Sequence, residues 1–427
     1  MIEFVLKNDK SYFMIRRGIS MLLEFIFKNS FSYKEETYFS MEAVKGTSIR
    51  NEFDKFGKHR ILKSAIIFGP NASGKSNMIK SLKSFRNLIL KNDIQENPYP
   101  TYAGNEDPIF YQIVIYANNN IYRYSVSYLK EEILQESLEM EKNGDFEIYF
   151  QRKKMKYPIL PDELKPLVNK TRKDNLFLIT AKTFNDKPSL AVFRWFRNRL
   201  IFISRDTPPL LNQAYKIQKN IKEKDKLLNF LKAADLNIVD FEVVESNSNS
   251  FSLHITGGLE EILSLSKKGR ELKSYNMTIR HKAFDGVSDN GLFALDLSAE
   301  SDGTKKLIAL AIILVLYNNS TILIDEFDDS FHVELSKAMI EVFNSNKQSN
   351  QFILTSHELA LMDSGFKKEQ IYFTEKADRS TTELYSVYDF KSEENRQDYS
   401  YVKRYQKGMF GAIPEILVGK LKESLEE

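Results

Sequence analysis

Gly69-Pro70-Asn71-Ala72-Ser73-Gly74-Lys75-Ser76, followed by Asn77, is the stretch that decides the fold. It satisfies G-x-x-x-x-G-K-[ST], in which glycines let the backbone curl so that its N–H groups point at phosphate oxygens. The positive end of the following helix adds to that attraction. In this pattern Lys75 bridges the β- and γ-phosphates of ATP and Ser76 offers its hydroxyl to Mg²⁺. The flanks agree: the apolar run Ser64-Ala65-Ile66-Ile67-Phe68 precedes the loop, and Met78, Ile79, Leu82, Phe85 and Leu88 follow it at helical spacing. A chance Gly-rich turn would not bring a strand and an amphipathic helix with it, so the segment is a βα unit that binds nucleotide.

Such a site needs a second half, an apolar strand ending in an acid, and Thr321-Ile322-Leu323-Ile324-Asp325-Glu326 supplies it. Asp325 is expected to hold Mg²⁺ through a water and Glu326 to orient the attacking water as general base. Ser301-Asp302-Gly303-Thr304 lies 24 residues ahead of Asp325, directly before a buried helix, and has the S-x-G form of an ABC signature loop. On its own it reads equally as an ordinary helix N-cap. His357 follows the apolar run Phe352-Ile353-Leu354-Thr355-Ser356, where ABC ATPases place a switch histidine that contacts the γ-phosphate. The four elements in this order are what separate an ABC-type site from an isolated Gly-rich loop.

Composition sets bounds around that site. At 427 residues the chain has room for two to three domains, or for one large α/β domain carrying an insertion. Sixty-one Lys and Arg against 58 Asp and Glu leave a net charge of +3, so no overall field argues for nucleic acid or an anionic membrane as partner. Without cysteine there is no disulfide framework, thiolate nucleophile or Cys-type metal site, which fits a reducing cytoplasm. The longest apolar run, Leu307 to Tyr317, has 11 residues, against about 20 for a membrane span, and reads as a buried helix. The first twenty residues carry scattered charges unlike a secretory signal. Because Met21 opens a strand pattern, residues 1–20 read as a leader or extension.

The expected architecture is α/β: a P-loop NTPase head in two lobes, residues 21–150 and 285–427, with an inserted helical or mixed subdomain at 151–284. Residues 108–140 read as a strand meander turning at Asn118 to Asn120. After about residue 150 the pattern becomes helical, broken by Pro158, Pro161, Pro166, Pro188 and Pro208–Pro209. Short strands return from 236, with Gly257–Gly258 and Asp285–Gly286 as turns.

Met21-Leu22-Leu23-Glu24-Phe25, the loop at 69–77, residues 298–310 (SAESDGTKKLIAL), residues 321–332 (TILIDEFDDSFH) and Thr355-Ser356-His357 together resemble the ABC-type ATPases related to RecF and the heads of the structural-maintenance-of-chromosomes proteins. The closest resemblance is to stand-alone ATPases of bacterial abortive-infection and phage-defence loci. Thr382-Glu383-Leu384-Tyr385 and residues 404–416 resemble that group's tail.

The resemblance implies an Mg²⁺-dependent ATPase working as a head-to-tail homodimer or higher homo-oligomer. Ser301 and Gly303 would act on the partner's ATP, Asp328-Asp329 would couple the two sites, and His332 would follow that loop. Gln112 is taken as the metal-sensing glutamine. It also implies a regulator of a separate toxic effector encoded nearby, because only 70 residues follow His357, too few for a fused nuclease. One departure is Lys28-Asn29-Ser30-Phe31-Ser32-Tyr33, where Phe31 stands in place of the relatives' basic residue.

Direct binding of nucleic acid has local candidates in which basic residues alternate with aromatics: Arg152–Tyr157, Phe193–Arg199 around Trp195, and Lys403-Arg404-Tyr405. The competing reading is a solvated face with its rings in the core. A RecF-like repair ATPase that clamps DNA, and a nucleotide-gated scaffold with little turnover, are the alternative functions.

Overall fold

A computed structural model describes residues 20–44, 51–53, 58–95, 98–204, 210–246, 274–284, 289–377, 380–390, 400–414 and 417–425. Residues 1–19 of the expected leader, Pro208–Pro209, Gly257–Gly258 and Asp285–Gly286 lie outside them. The chain forms two compact units: Met1–Phe202 with Asn319–Asp328 and Ser336–Glu427, and Ile203–Asn318 with Asp329–Leu335.

The first unit contains two sheets. One is six-stranded, ordered β16 (Thr381–Ser386), β15 (Ile371–Ala377), β3 (Ser64–Phe68), β14 (Gln351–Thr355), β13 (Thr321–Ile324) and β9 (Leu200–Ile203). From β15 through β13 the strands are parallel, and β16 is antiparallel to β15. β3, β13 and β14 are buried on both faces, which accounts for their uninterrupted apolar sequences. Because they run the same way, whatever follows each strand emerges at one edge.

The other sheet is antiparallel and seven-stranded: β2 (Thr37–Ser40), β1 (Met21–Lys28), β4 (Ile109–Ala117), β5 (Asn120–Tyr128), β6 (Ile133–Lys142), β7 (Asp145–Lys153) and β8 (Lys156–Ile159). Asn118 and Asn119 both have positive φ, 51° and 63°, as a two-residue hairpin turn between right-twisted strands requires.

Helix α1 (Lys75–Lys91) places Met78, Leu82, Phe85 and Leu88 in the core shared by both sheets, with Phe85 stacked on Tyr111 at 5.0 Å. The segment expected as an insertion at 151–284 divides in the structure. Residues 150–153 and 156–159 are strand rather than helix, and α2 (Phe177–Thr183) and α3 (Lys187–Asn198) belong to the first unit. The cause is burial: Phe177, Trp195 and Phe196 pack into the same core as α1, with Phe196 edge-on to Phe85 at 5.0 Å.

The second unit has its own core. Helices α4 (Leu211–Gln218) and α5 (Ile221–Ala233) and the three-stranded antiparallel sheet β10 (Ile238–Ser246), β11 (Ser274–Phe284) and β12 (Asp289–Asp296) surround α6 (Asp302–Leu316). Leu307, Ile308, Ala311 and Ile312 of α6 meet Leu227, Leu231, Phe241 and Ile279. The 11-residue apolar run is thus explained by burial within a small domain, and among the described residues no helix is long and apolar enough to cross a membrane. After β13 the turn 325–330 leads to α7 (Val333–Asn344), and the chain closes with α8 (Tyr401–Gln406) and α9 (Val418–Glu423).

Candidate nucleotide site

The loop from Gly69 to Ser76 joins β3 to α1. Gly69 and Gly74 have φ of +153° and +117°, and a Cβ on either would lie 2.4 Å from the Thr374 carbonyl oxygen or 2.5 Å from Thr382 Oγ1. Both glycines are therefore required by close approach as well as by backbone conformation. Ala72 is also left-handed, at φ 59°. Hydroxyls clamp the loop from outside. Ser73 Oγ is 2.6 Å from Thr374 Oγ1, Thr382 Oγ1 donates to the Ser73 carbonyl at 2.8 Å, and Tyr33 donates to the Gly74 carbonyl at 3.1 Å. Asn77 Nδ2 donates to Ser32 Oγ at 2.9 Å.

Lys75 Nζ donates to the Gly69 and Pro70 carbonyls at 2.7 and 2.9 Å, which aims the ammonium back across the loop. Burial lowers its pKa to about 8, against the opposing pull of Asp325, Asp328 and Glu326. Ser76 Oγ donates to Asp325 Oδ1 at 3.0 Å, and Thr355 Oγ1 donates to the same oxygen at 2.6 Å. The Thr355 hydroxyl also accepts from the Glu326 amide at 2.8 Å, where Glu326 has a left-handed φ of 50°.

The Asp328 carboxylate accepts from the amides of His357, at 3.3 Å, and Glu358, at 3.1 Å. His357 Nδ1 lies 3.4 Å from Lys75 Nζ. Burial first, and the Lys75 charge second, lower the pKa of His357, so its neutral ring faces the ammonium. The structure thus brings Gly69–Asn77, Asp325, Glu326 and His357 to the C-terminal edge of one parallel sheet.

In the second unit, Ser301 caps α6, its Oγ accepting from the Thr304 amide at 3.1 Å. A Cβ on Gly303 would stand 2.5 Å from the Ser330 carbonyl oxygen, and Lys306 Nζ donates to the Asp329 carbonyl at 3.0 Å. The S-x-G segment and the loop at 329–330 are therefore packed on each other. His332 Nδ1 accepts from the Glu334 amide at 3.3 Å, a local helix-start contact.

Gln112 is not brought to the loop. Alternation along β4 turns Tyr111 and Ile113 toward the core holding α1, whereas Gln112 shares the opposite face with Val114, which packs with Met21 and Leu23. The basic-aromatic stretches also resolve differently from a nucleic-acid track. Trp195, Phe196 and Tyr405 are buried, Arg152 is fully buried against Glu136 at 3.4 Å, and Arg404 is buried too. Those rings lie in the core, and Tyr157 packs against it partly buried.

Ser32, Tyr33, Thr355, Thr374 and Thr382 were missed as site residues. Phe31, half-buried and left-handed at φ 54°, matters for its place in the turn that delivers Ser32 and Tyr33 to the loop. Single hydroxyls carry no spacing signal, and only the position of Thr355 one step ahead of Ser356-His357 offered a hint.

Residues 64–363 match the model of a family described as "AAA domain, putative AbiEii toxin, Type IV TA system". The chain belongs to this family. Curated proteins yielded no sequence match. Among solved structures, the SMC head domain from Thermotoga maritima is 13% identical, with 86% of this chain and 98% of that chain covered and a TM-score of 0.39. An Smc head from Pyrococcus furiosus with an extended coiled coil, bound to the C-terminal domain of ScpA, is 11% identical over 88% and 98%, at 0.42. The recombination mediator RecF with a bound ATP analogue is 14% identical over 86% and 98%, at 0.37. The fold, an α/β P-loop NTPase with ABC-type element order, rests on the phosphate loop in its parallel sheet and on the family, not on these likenesses.

Proposed function

We propose that this family member is an Mg²⁺-dependent ATPase whose nucleotide state gates dimerisation and thereby restrains or releases a separate toxic effector in defence against phage. The observation that carries the catalytic half is the Ser76–Asp325 contact at 3.0 Å, with Glu326 as the next residue. A hydroxyl and a carboxylate at that distance are the hard oxygen donors that Mg²⁺ takes from a protein when phosphates and waters complete its shell. Among the described residues no group of three or more His, Asp or Glu side chains is arranged to hold a metal, in keeping with a cation that arrives with ATP. When bound, the ion would neutralise phosphate charge.

The chain's own residues supply the rest. Lys75 binds phosphate, the loop amides orient it, and His357, kept neutral by burial, has Nε2–H to donate to the γ-phosphate. Glu326 takes a proton from the attacking water. Ser301 and the start of α6 would close over ATP held by a second copy. The defence role is supported by the family description, which names a toxin–antitoxin system.

The test is ATP turnover by the purified protein and by Glu326→Gln, paired with size measurement in Mg²⁺ and ATP. Loss of turnover by about 10²-fold or more, with accumulation of dimers, is expected. Unchanged turnover in the variant would remove Glu326 from the mechanism, and negligible turnover by the parent would favour the scaffold reading. Co-purification with the products of flanking genes, with and without ATP, tests the effector: recovery of DNA and no protein partner would overturn that half.

A further inference from the structure

Glu300 stands directly before Ser301, and its carboxylate is tied to the sheet of the second unit. His281 Nε2, on β11, lies 2.6 Å from Glu300 Oε1, with the two side chains 13% and 8% exposed. His281 Nδ1 lies 3.1 Å from the Asn237 carbonyl oxygen, and its ring stacks on Phe293 of β12 at 5.2 Å. Both ring nitrogens are therefore engaged, one by the Glu300 carboxyl group and one by a backbone carbonyl.

Gly303 packs against the Ser330 carbonyl, but the other hydrogen bonds of residues 297–301 are short-range. Asp296 accepts from the Ser298 amide at 2.8 Å, and the Glu300 amide reaches only to the Leu297 carbonyl at 3.2 Å. Ser301 itself is exposed; its hydroxyl is bonded to Thr304 and its carbonyl accepts from the Lys305 amide at 3.0 Å, both within the first turn of α6. Among the described residues, Glu300–His281 is the side-chain hydrogen bond that ties residues 297–301 to a distant part of the chain, 19 residues back.

We propose that His281 is a positioning residue for the S-x-G loop: by holding Glu300 it sets the direction in which Ser301 and the start of α6 are presented to ATP on a second copy of this chain. This rests on the dimer reading above. It requires that loss of the link spare nucleotide binding, which uses the other unit's residues, and weaken only ATP-dependent association.

The experiment uses the full chain in a Glu326→Gln background, with light scattering over a concentration series in Mg²⁺ and ATP, and affinity for a fluorescent ATP analogue measured separately. His281→Ala should leave analogue affinity within about twofold and weaken dimerisation about tenfold or more, the range expected for a lost charge-assisted hydrogen bond. His281→Gln, which keeps a donor for Glu300, should recover most of it, and Glu300→Ala should repeat the loss from the loop side if His281→Ala fails to fold. Dimerisation by His281→Ala or Glu300→Ala as tight as the parent's overturns the inference and leaves the dimer reading standing. A parent that stays monomeric with ATP overturns the dimer reading, and the inference with it.

Discussion

Ser76 Oγ donates to Asp325 Oδ1 at 3.0 Å, although 249 residues separate the two in the chain. The contact follows from register. Ile66 of β3 pairs with Leu354 of β14, and Leu354 pairs with Ile324 of β13, so three parallel strands end side by side. The phosphate loop, Asp325 and Thr355 then emerge at one edge and share a single oxygen, Asp325 Oδ1.

Thr355 is expected to matter as much as the acids it touches. Thr355→Val removes the donor to Asp325 and the acceptor that holds the left-handed Glu326 amide. Hydrogen bonds to charged groups are worth about 1.5–3 kcal/mol, so kcat should fall roughly 10- to 150-fold. Thr355→Ser should retain most activity, whereas equal losses in both variants would mean that packing of the methyl group, not the hydroxyl, is what counts.

Lys75 sets the pH range. Its pKa near 8 means that the phosphate-binding cation is lost from the free protein above that value. ATP affinity should be flat below pH 7 and weaken from pH 8 to 9.5, as read by titration with a fluorescent analogue. The stability effect has the opposite sense. Between about 8 and the unfolded value of 10.5 the unfolded chain holds the extra proton, so this group's contribution raises the stability of the nucleotide-free protein as pH climbs. Affinity independent of pH across that range would show that Lys75 stays charged.

Gly303→Ala should destabilise the second unit by about 1–3 kcal/mol, because its Cβ would stand 2.5 Å from backbone, the Ser330 carbonyl, which cannot swing aside. Gly419→Ala has open space around it and serves as the control, expected within about 0.5 kcal/mol of the parent. Chemical denaturation of both variants measures the difference.

Arg152 and Trp195 should behave as core residues. Glu136 accepts from Arg152, from Tyr124 and from the amides of Phe177 and Leu178, all buried. Arg152→Met strands that carboxylate and should cost about 3–5 kcal/mol of stability, and Trp195→Ala a similar amount. Arg194→Ala, on the exposed side of the same helix as Trp195, should be near neutral. A nucleic-acid affinity lost in a folded, fully stable Arg152→Met protein would contradict this assignment.

Much of this molecule was legible in its residues alone. The phosphate loop, the apolar strand ending in Asp325-Glu326 and the buried helix after Ser301 each carry their signal locally, in glycine placement, periodicity and terminal charge, so they need no knowledge of what lies across the fold. The hairpin turn at Asn118-Asn119 is local in the same sense. Tertiary structure alone decided what depends on pairing: the burial that draws residues 151–202 into the first unit, the face of β4 that carries Gln112 away from α1, and the hydroxyls of Ser32, Thr374 and Thr382 around the loop. A side chain's chemistry is written in the sequence, but its partners are set by strand register, and β3 meets β14 only across nearly three hundred residues of intervening chain.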